Sequence, residues 1–300
     1  MIYLLSGENT FELERRLDEI INGFSVQLER FDSADLSLER LPDLFTGATL
    51  FAAERLIVFK DVSSNKSVWS ILAEWLDRVD DSTTIIFVEP HPDKRTKTYK
   101  WLEKHAEVST FRELQAHETL KWLEAEVKNR GLDMSRDVVR SFAEHVGQDQ
   151  WRLSSELDKL VLVGKPVSRE LIRELVEPTP QATSFELLDA AFAGRREEVK
   201  RLLATVARQE DPYMFFGLLS GQVYALALVK TAGDRSVEAI AKETGVHPFV
   251  LKKISAWARG VGGNELKRII SELAVLDAHI KSRPAEPWTQ IQVMLLRLKD

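Results

Sequence analysis

Cysteine is absent from the 300-residue sequence, which excludes disulfides, thiolate zinc sites and a cysteine nucleophile. A chain without cysteine fits the reducing cytoplasm, where we expect this protein to act. Long apolar runs are missing too, because no stretch approaches the roughly 18 uninterrupted apolar residues of a membrane span. The first residues, MIYLLSGENTFELER, have no basic start and no small-residue cleavage site. They predict a first strand rather than a signal peptide, and we expect no membrane contact.

The sequence also lacks a phosphate-binding loop where an α/β protein would carry one. A P-loop needs glycines whose backbone amides surround a phosphate, and a lysine that supplies positive charge. The turn after the first strand, residues 6–12, reads SGENTFE, with a single glycine, no lysine and two glutamates that would repel a triphosphate. Asp61 comes after the apolar run LIVF, but Lys60 precedes it and no second acid follows, and we interpret Asp61 as a strand-end residue. We expect no cofactor and no ATP hydrolysis by this chain.

Metal and hydrolase motifs are missing as well. His105-Ala106-Glu107 matches the H-x-E element of zinc deaminases, but that site requires cysteines. The six histidines are scattered without an H-x-x-x-H pair, and there is no G-x-S-x-G elbow. The sequence therefore predicts neither a metal site nor catalytic residues.

Charge is unevenly distributed along the chain. The net charge of −6 argues against a protein that binds a polyanion over its whole surface. Residues 228–300 hold 12 lysines and arginines against 8 acids, a net of +4, so the remaining residues are net −10. This permits local DNA contact, although ordinary variation of surface charge explains it equally well. The candidates for contact with DNA phosphates are Lys252, Lys253, Lys267 and Arg268, each contributing about 1 kcal/mol or less.

Strands and helices alternate in the first third of the chain. Apolar strands are predicted at IYLLSG, RLIVFKD and TTIIFVEP, with weaker candidates at SVQLERF and AEVSTF. Asn9 is the expected N-cap of the first helix, and SVWSILAEWLDRV has helical spacing. Strands that alternate with helices are typical of a mostly parallel sheet with helices packed on it. We therefore predict an α/β domain over residues 1–114.

Only helices are predicted beyond about Leu114. Four short helical stretches, each ending at glycine or proline, predict a small helical domain over residues 115–180. The sequence EPTPQATS, residues 177–184, has two prolines followed by small and polar residues, and it predicts a linker. Residues 181–300 are predicted to form a second all-helical domain, whose last long helix carries an apolar stripe.

One stretch of that last domain resembles a helix-turn-helix. In residues 238–258, EAIAKETGVHPFVLKKISAWA, the spacing of Ala241, Gly245 and Val246 fits the motif. A recognition helix presents polar side chains to base edges, whereas this one begins with PFVL. The apolar start favours packing on neighbouring helices. A helix-turn-helix DNA-binding regulator stays open as the alternative function.

Several stretches, in this order along the chain, have the features of one known family. They are an opening strand with an acidic glycine turn, a leucine–phenylalanine element before an arginine and a strand, and a middle strand with a basic loop. A glycine and a tryptophan before Glu-Leu-x-Lys-Leu follow, and then two collar-like stretches. The sequences are IYLLSGENTFELERRLDEI, LFAAERLIVFKD, IIFVEPHPDKRTKTYKWLEKHAEV, VGQDQWRLSSELDKLVLVG, HPFVLKK and LDAHIKSR. In these features the chain resembles the delta subunit of the bacterial DNA polymerase III clamp loader.

The resemblance implies a degenerate AAA+ (P-loop-NTPase-like) domain that does not hydrolyse ATP, a helical lid, and a helical collar for assembly into a pentamer. It implies a non-catalytic subunit of the DNA polymerase III holoenzyme. Such a subunit binds the ring-shaped sliding clamp, the beta subunit, and helps to open it during DNA replication. Its further partners would be the ATPase subunits gamma or tau, delta-prime and, within the assembled loader, primed DNA.

Two leucine–phenylalanine pairs compete for the clamp contact. Leu44 and Phe45 follow another leucine at helical intervals and can therefore face a core. Leu50 and Phe51 follow a run of four small residues and match the clamp-contacting position of the family, just before a strand. The resemblance assigns clamp binding to Thr49, Leu50 and Phe51, with packing of Phe51 under its own sheet as the alternative.

Overall fold

The computed structural model describes residues 1–46, 54–246, 248–282 and 286–299, with only the backbone given at residues 46 and 249. The chain forms two compact units, Met1–Gln115 and Ala116–Asp300. The first unit contains the sheet, and the described part of the second is helical. This confirms the predicted α/β domain followed by helices.

Five parallel strands form the sheet of the first unit, in the order β2-β3-β4-β1-β5. The central strands β3 and β4 are buried on both faces and rich in isoleucine, valine and phenylalanine, which is typical of a parallel sheet covered on both sides. Because the strands are parallel, their carboxyl ends meet at one edge. The strands are β1 (Ile2–Ser6), β2 (Leu28–Asp32), β3 (Arg55–Lys60), β4 (Thr83–Glu89) and β5 (Glu107–Thr110).

Helices cover both faces of this sheet. The first helix begins after Asn9, whose side chain accepts a hydrogen bond from the Glu12 amide at 3.1 Å, and the predicted N-cap is thereby confirmed. It packs its leucines against one face of the sheet, and the other three helices pack against the opposite face. The helices are α1 (Thr10–Ile21), α2 (Leu41–Thr46), α3 (Lys66–Leu76) and α4 (Lys97–His105).

The second unit has two hydrophobic clusters. The helices α5–α8 surround a cluster centred on Leu123, Phe142 and Leu157, and α9–α15 surround a larger cluster centred on Leu219, Ile254 and Ile269. A division into separate lid and collar domains at residue 180 stays a prediction. The helices are α5 (Ala116–Asn129), α6 (Arg136–Val146), α7 (Gln150–Val163), α8 (Arg169–Leu175), α9 (Pro180–Phe192), α10 (Arg196–Val206), α11 (Pro212–Thr231), α12 (Val237–Thr244), α13 (Pro248–Gly260), α14 (Gly263–Ser282) and α15 (Pro287–Arg297).

The predicted linker at residues 177–184 is wrong over most of its length. Thr179 is the N-cap of α9, its hydroxyl accepts from the third helical amide, and Pro180 occupies the first helical position. Proline there has the right φ angle and lacks an amide that would be unsatisfied anyway. The small residues that suggested flexibility are packed tightly, and the amide of Gln222 donates to the buried Ser184 hydroxyl.

The helix α11 (Pro212–Thr231) is long and apolar enough to cross a membrane, judged by length and composition only. Its inner face carries Phe215, Leu219, Val223 and Leu226, and these side chains belong to the larger hydrophobic cluster. The apolar side chains on that face therefore pack in the interior of the second unit.

Candidate functional site

The 47–53 segment connects α2 to β3 and contains the residues assigned to clamp contact. Thr49, Leu50 and Phe51 lie outside the described residues, and their role stays a prediction. The two ends of the segment are described, since α2 ends at Thr46 and β3 begins at Arg55. The contacts of the residues at these two ends show how α2 and β3 are anchored on either side of the segment.

Arg55 links the start of β3 to both neighbouring elements. Its guanidinium makes a bidentate ion pair with Glu29 of β2, with nitrogen–oxygen distances of 2.9 and 3.0 Å. Its Nη1 donates to the backbone carbonyl of Leu44 in α2 at 3.1 Å. The Arg55 side chain is only 11% exposed, and bidentate pairs of this kind are strongly directional. Arg55 therefore fixes the end of α2 relative to the start of β3.

Leu44 and Phe45 are part of the core of the first unit. Their exposed fractions are 7% and 6%. The Phe45 ring stacks on Phe59 of β3 with a centroid distance of 5.6 Å, and Phe59 stacks on Phe87 of β4 at 5.3 Å. The core position predicted from helical spacing is thereby confirmed, and this pair is not available to a partner in the folded chain.

At the carboxyl edge of the sheet, the chain after β5 fills the turn after β1. The Phe111 amide donates to the Ser6 carbonyl at 2.7 Å, and the Asn9 amide donates to the Phe111 carbonyl at 3.1 Å. Gly7 adopts a φ of +120°, and a Cβ built on it would lie 2.0 Å from the Phe111 carbonyl oxygen. A nucleotide phosphate in this turn would compete with the chain's own backbone for the Asn9 amide.

Glu89 ends β4 at the same edge and is fully buried. Its two carboxylate oxygens accept hydrogen bonds from the Val62 amide at 2.8 Å and the Ser63 amide at 3.1 Å. Burial raises the pKa of Glu89 to about 7, although these hydrogen bonds oppose the shift. Asp61, just before them, has a left-handed backbone with φ 51° and accepts from the Ser64 hydroxyl at 2.6 Å. Both acids therefore serve the turn that follows β3.

Over residues 1–46, 54–246, 248–282 and 286–299, no group of three or more histidines and acids could hold a metal ion. The carboxylates of Asp61 and Glu89 accept hydrogen bonds from hydroxyl and amide donors of the turn that follows β3.

The four candidate DNA-contacting residues have two different environments. Lys252 and Lys267 are exposed and make no ion pair within the described part of the chain. Lys253 is half-buried: its ammonium lies 4.7 Å from the centroid of the Phe185 ring and 3.7 Å from a Glu144 carboxylate oxygen. The structure does not place all four on one free surface, and DNA contact stays a prediction for each.

Arg268 has structural partners of its own. It donates to the carbonyls of Arg297 and Leu298 at 2.9 and 2.7 Å and to Glu272 at 3.1 Å. The last carbonyls of a helix lack intrahelical partners and carry partial negative charge, so an arginine there stabilises the end of α15. Its guanidinium is largely occupied in the folded chain.

The stretch that resembles a helix-turn-helix is built into the core. The helix α13 buries Leu251, Ile254 and Ala258, and Val250 packs against the same cluster. The indole of Trp257 on α13 donates to Asp189 of α9 at 3.2 Å. The packing role predicted from the apolar start of the helix is thereby confirmed.

Sequence reasoning missed the roles of Arg55 and Glu89. An arginine at the start of a buried strand and an acid at the end of another are visible signals that such residues have partners. The partners, Glu29 for Arg55 and the Val62 and Ser63 amides for Glu89, lie 26 or 27 residues away in sequence, and no local pattern identifies them.

Comparison with known proteins agrees with this architecture. The family model described as DNA polymerase III, delta subunit, matches residues 3–112, and the model of the C-terminal domain of the same subunit matches residues 181–298. Together the two models cover more than half of the chain. The curated DNA polymerase III subunit delta of Bacillus subtilis is 24% identical, over 99% of this chain and 92% of that protein.

A solved structure has the same fold. The Bacillus subtilis DNA clamp loader delta protein (YqeN) superimposes with a TM-score of 0.64 at 22% identity, and the match covers 99% of this chain and 95% of that one. One family model matches the five-stranded unit and the other matches the C-terminal helices. The chain is therefore a member of the DNA polymerase III delta subunit family.

Proposed function

We propose that this chain binds a sliding clamp and helps to open its ring, so that the clamp can be loaded onto primed DNA during replication. The observation that supports the proposal is the burial of Leu44 and Phe45 in the core. Of the two leucine–phenylalanine pairs, this leaves Leu50 and Phe51 as the candidate contact, between the fixed ends of α2 and β3. Thr49, Leu50 and Phe51 would form that contact.

An adjacent leucine and phenylalanine suit a pocket on another protein. Two such anchors contribute about 2 kcal/mol each when fully buried, and they would dominate a small interface. A binder that prefers the open form of a ring shifts the ring's opening equilibrium by its difference in affinity for the two forms. No ATP hydrolysis by this chain is needed for that step.

Energy from ATP would come from partner subunits. The turn after β1, where an ATPase of this architecture would bind phosphate, is filled by the chain's own backbone, because Phe111 lies against Gly7 and accepts a hydrogen bond from the Asn9 amide. The partners that the family implies, and that we propose for this chain, are ATPase subunits of the gamma or tau type and delta-prime, in a cytoplasmic hetero-oligomer that holds primed DNA.

A pair of double variants tests the clamp contact. Leu50→Ala with Phe51→Ala should weaken binding to the organism's sliding clamp roughly a thousandfold, because two anchors of about 2 kcal/mol are lost, and should leave the melting temperature nearly unchanged. The measurement is surface plasmon resonance against immobilised clamp, with thermal unfolding in parallel.

Leu44→Ala with Phe45→Ala is the matched control, with the same chemistry in the same region. It should cost more than about 5 kcal/mol of stability, because it opens a cavity in the core. If the Leu50–Phe51 variant unfolds the first unit, or if it binds the clamp as tightly as wild type, the proposed contact is wrong.

A further inference from the structure

Arg55 joins the two described ends of the connection between α2 and β3. Its backbone amide donates to the Ser82 carbonyl at 3.0 Å, and its Nη1 donates to the Leu44 carbonyl in α2 at 3.1 Å. The other two guanidinium nitrogens donate to Glu29 on the edge strand β2. One side chain therefore links α2 to the start of β3 and to the neighbouring strand.

The helix α2 depends on contacts of this kind. It has six residues, and isolated helices shorter than roughly 12 residues are marginal in water. The Leu44 carbonyl lies in the last described turn of α2, where a helix has partial negative charge and carbonyls that need partners. The Arg55 guanidinium supplies a hydrogen bond and a positive charge there. Arg55 therefore supports α2 at the end that leads into the 47–53 segment.

Apolar packing alone would hold this end less exactly. Phe45 stacks on Phe59 of β3 with a centroid distance of 5.6 Å, which keeps α2 against the sheet. Stacked rings are favourable over about 4.5 to 7 Å, whereas hydrogen bonds of this type need about 2.7 to 3.2 Å and a defined direction. The polar contacts of Arg55 therefore restrict the position of the Leu44 backbone more narrowly than the ring contact does.

The Arg55 side chain is committed to its own chain. It is 11% exposed, and each of its three nitrogens donates to Glu29 or to the Leu44 carbonyl. A side chain in this state is poorly placed to bind another protein directly. It can act on a partner only through the residues that it holds.

Holding the ends of a chain segment affects the affinity of that segment for a partner. A segment with fixed ends samples fewer arrangements, so it loses less conformational entropy on binding. If only a fraction of the molecules has the ends correctly placed, the apparent dissociation constant rises by the inverse of that fraction.

We propose that Arg55 is a positioning residue for clamp binding. By joining the Leu44 carbonyl to Glu29 it fixes the two ends between which Leu50 and Phe51 lie in the sequence, and it does not touch the clamp itself. The inference rests on the proposed function, because it concerns the same contact. It gives a role in association to a residue whose contacts alone indicate a role in folding.

The double variant Arg55→Met with Glu29→Gln tests this role. Methionine keeps the apolar stem and removes the three donors, and glutamine avoids an unpaired acid. The double variant should weaken clamp binding about tenfold. Glu29→Gln alone should bind almost like wild type, because its amide oxygen still accepts from Arg55. Arg55→Lys, whose single nitrogen cannot reproduce the fork, should fall between them. Surface plasmon resonance against immobilised clamp measures the affinities, below the melting temperature of every variant.

Leu17→Ala is the control for stability. Leu17 is 1% exposed and packs on the other face of the sheet from Leu44 and Phe45. Its truncation opens a cavity and should lower the melting temperature at least as much as the double variant does. The folded Leu17→Ala protein should nevertheless bind the clamp like wild type. An equal loss of clamp affinity in Leu17→Ala would reduce the effect of Arg55 to general stability and overturn the positioning role.

A cycle with Phe51→Ala tests whether Arg55 acts through the proposed contact. The double variant should lose less affinity in the Phe51→Ala background than in the wild-type background, because less of the contact remains to be positioned. An equal loss in both backgrounds would mean that Arg55 acts independently of the pair, and it would overturn the inference.

The outcomes separate this inference from the proposed function. A wild-type chain that binds the clamp, with the double variant binding equally tightly, overturns the role of Arg55 alone. A folded wild-type chain that does not bind the clamp overturns both.

Discussion

The two units of this molecule differ in how their polar groups and large apolar side chains are contacted: the polar groups at the sheet edge of the first unit bind other groups of that unit, whereas more of the large apolar side chains of the second unit are exposed. At the sheet edge of the first unit, the turn after β1 is filled by Phe111, and the buried Glu89 binds the amides of the next turn. Three large apolar side chains are exposed among the described residues of the first unit and ten among those of the second. The ten are Trp151, Val161, Leu162, Leu175, Tyr213, Met214, Tyr224, Ile270, Val275 and Val293.

This difference has a physical consequence for each unit. In the first unit, the groups at the sheet edge contribute to the stability of the chain that contains them, so changes there should be felt in folding. In the second unit, exposed apolar and basic side chains contribute little to their own fold, and changes there should be felt in association. Substitutions in the two units test this difference.

The largest effect is expected at Gly7. Gly7→Ala would put a methyl group 2.0 Å from the Phe111 carbonyl oxygen, on a backbone with φ +120°. Neither atom can move without breaking the hydrogen bonds that join the β1 turn to the chain after β5. We expect a loss of more than about 4 kcal/mol of unfolding free energy in the first unit. Urea unfolding with hydrogen exchange of the β1 amides measures it.

Gly131→Ala is the control for backbone conformation alone. Gly131 also has a positive φ, +67°, but nothing lies within 4 Å of the added Cβ. It should cost about 1 kcal/mol, the ordinary penalty for a left-handed residue with a side chain. Equal costs at the two glycines would show that the β1 turn is not held closed by Phe111.

Glu89 should make the stability of the first unit depend on pH. Burial raises its pKa to about 7 from an ordinary value of 4.5, so the folded state favours the protonated acid. The stability from this group is fully present below about pH 4.5 and is lost as the pH rises to about 7. The loss is roughly 3 kcal/mol at most, from the size of the shift.

Glu89→Gln isolates this dependence, because its side chain stays neutral and resembles the protonated acid in shape. The difference in unfolding free energy between wild type and Glu89→Gln should fall from pH 4.5 to pH 8, while other titrating groups cancel. Protection of the Val62 and Ser63 amides against hydrogen exchange gives a local readout. A pH-independent difference would contradict the raised pKa.

Local signals in the sequence predicted the helices and strands, but they did not predict the contacts between residues that are far apart in the sequence. The apolar runs of β3 and β4, the Asn9 cap and the packing role of α13 were predicted from local residue types and spacing. The start of α9 was misjudged, because Thr179 and Pro180 suit a helix start as well as a linker, and only the packing of Ser184 against Gln222 decides between them. Helical spacing likewise placed Leu44 and Phe45 in the core. It could not show that Arg55 joins the Leu44 carbonyl to Glu29, because these residues are distant in sequence.

The smallest effect distinguishes two adjacent basic residues of the second unit. Lys267 is exposed without an ion pair in the described part of the chain, whereas Arg268 holds the end of α15. Lys267→Ala should therefore weaken binding of primed DNA by the assembled loader by about 1 kcal/mol or less, and should lower the slope of log affinity against log salt by about 1. Lys252→Ala should have the same effect as Lys267→Ala.

Arg268→Ala should instead lower the melting temperature, because it leaves two carbonyls without their donor. Fluorescence anisotropy over a salt series, with thermal unfolding in parallel, separates the two residues. Loss of DNA affinity without loss of stability in Arg268→Ala would make it a phosphate contact and would erase the distinction from Lys267.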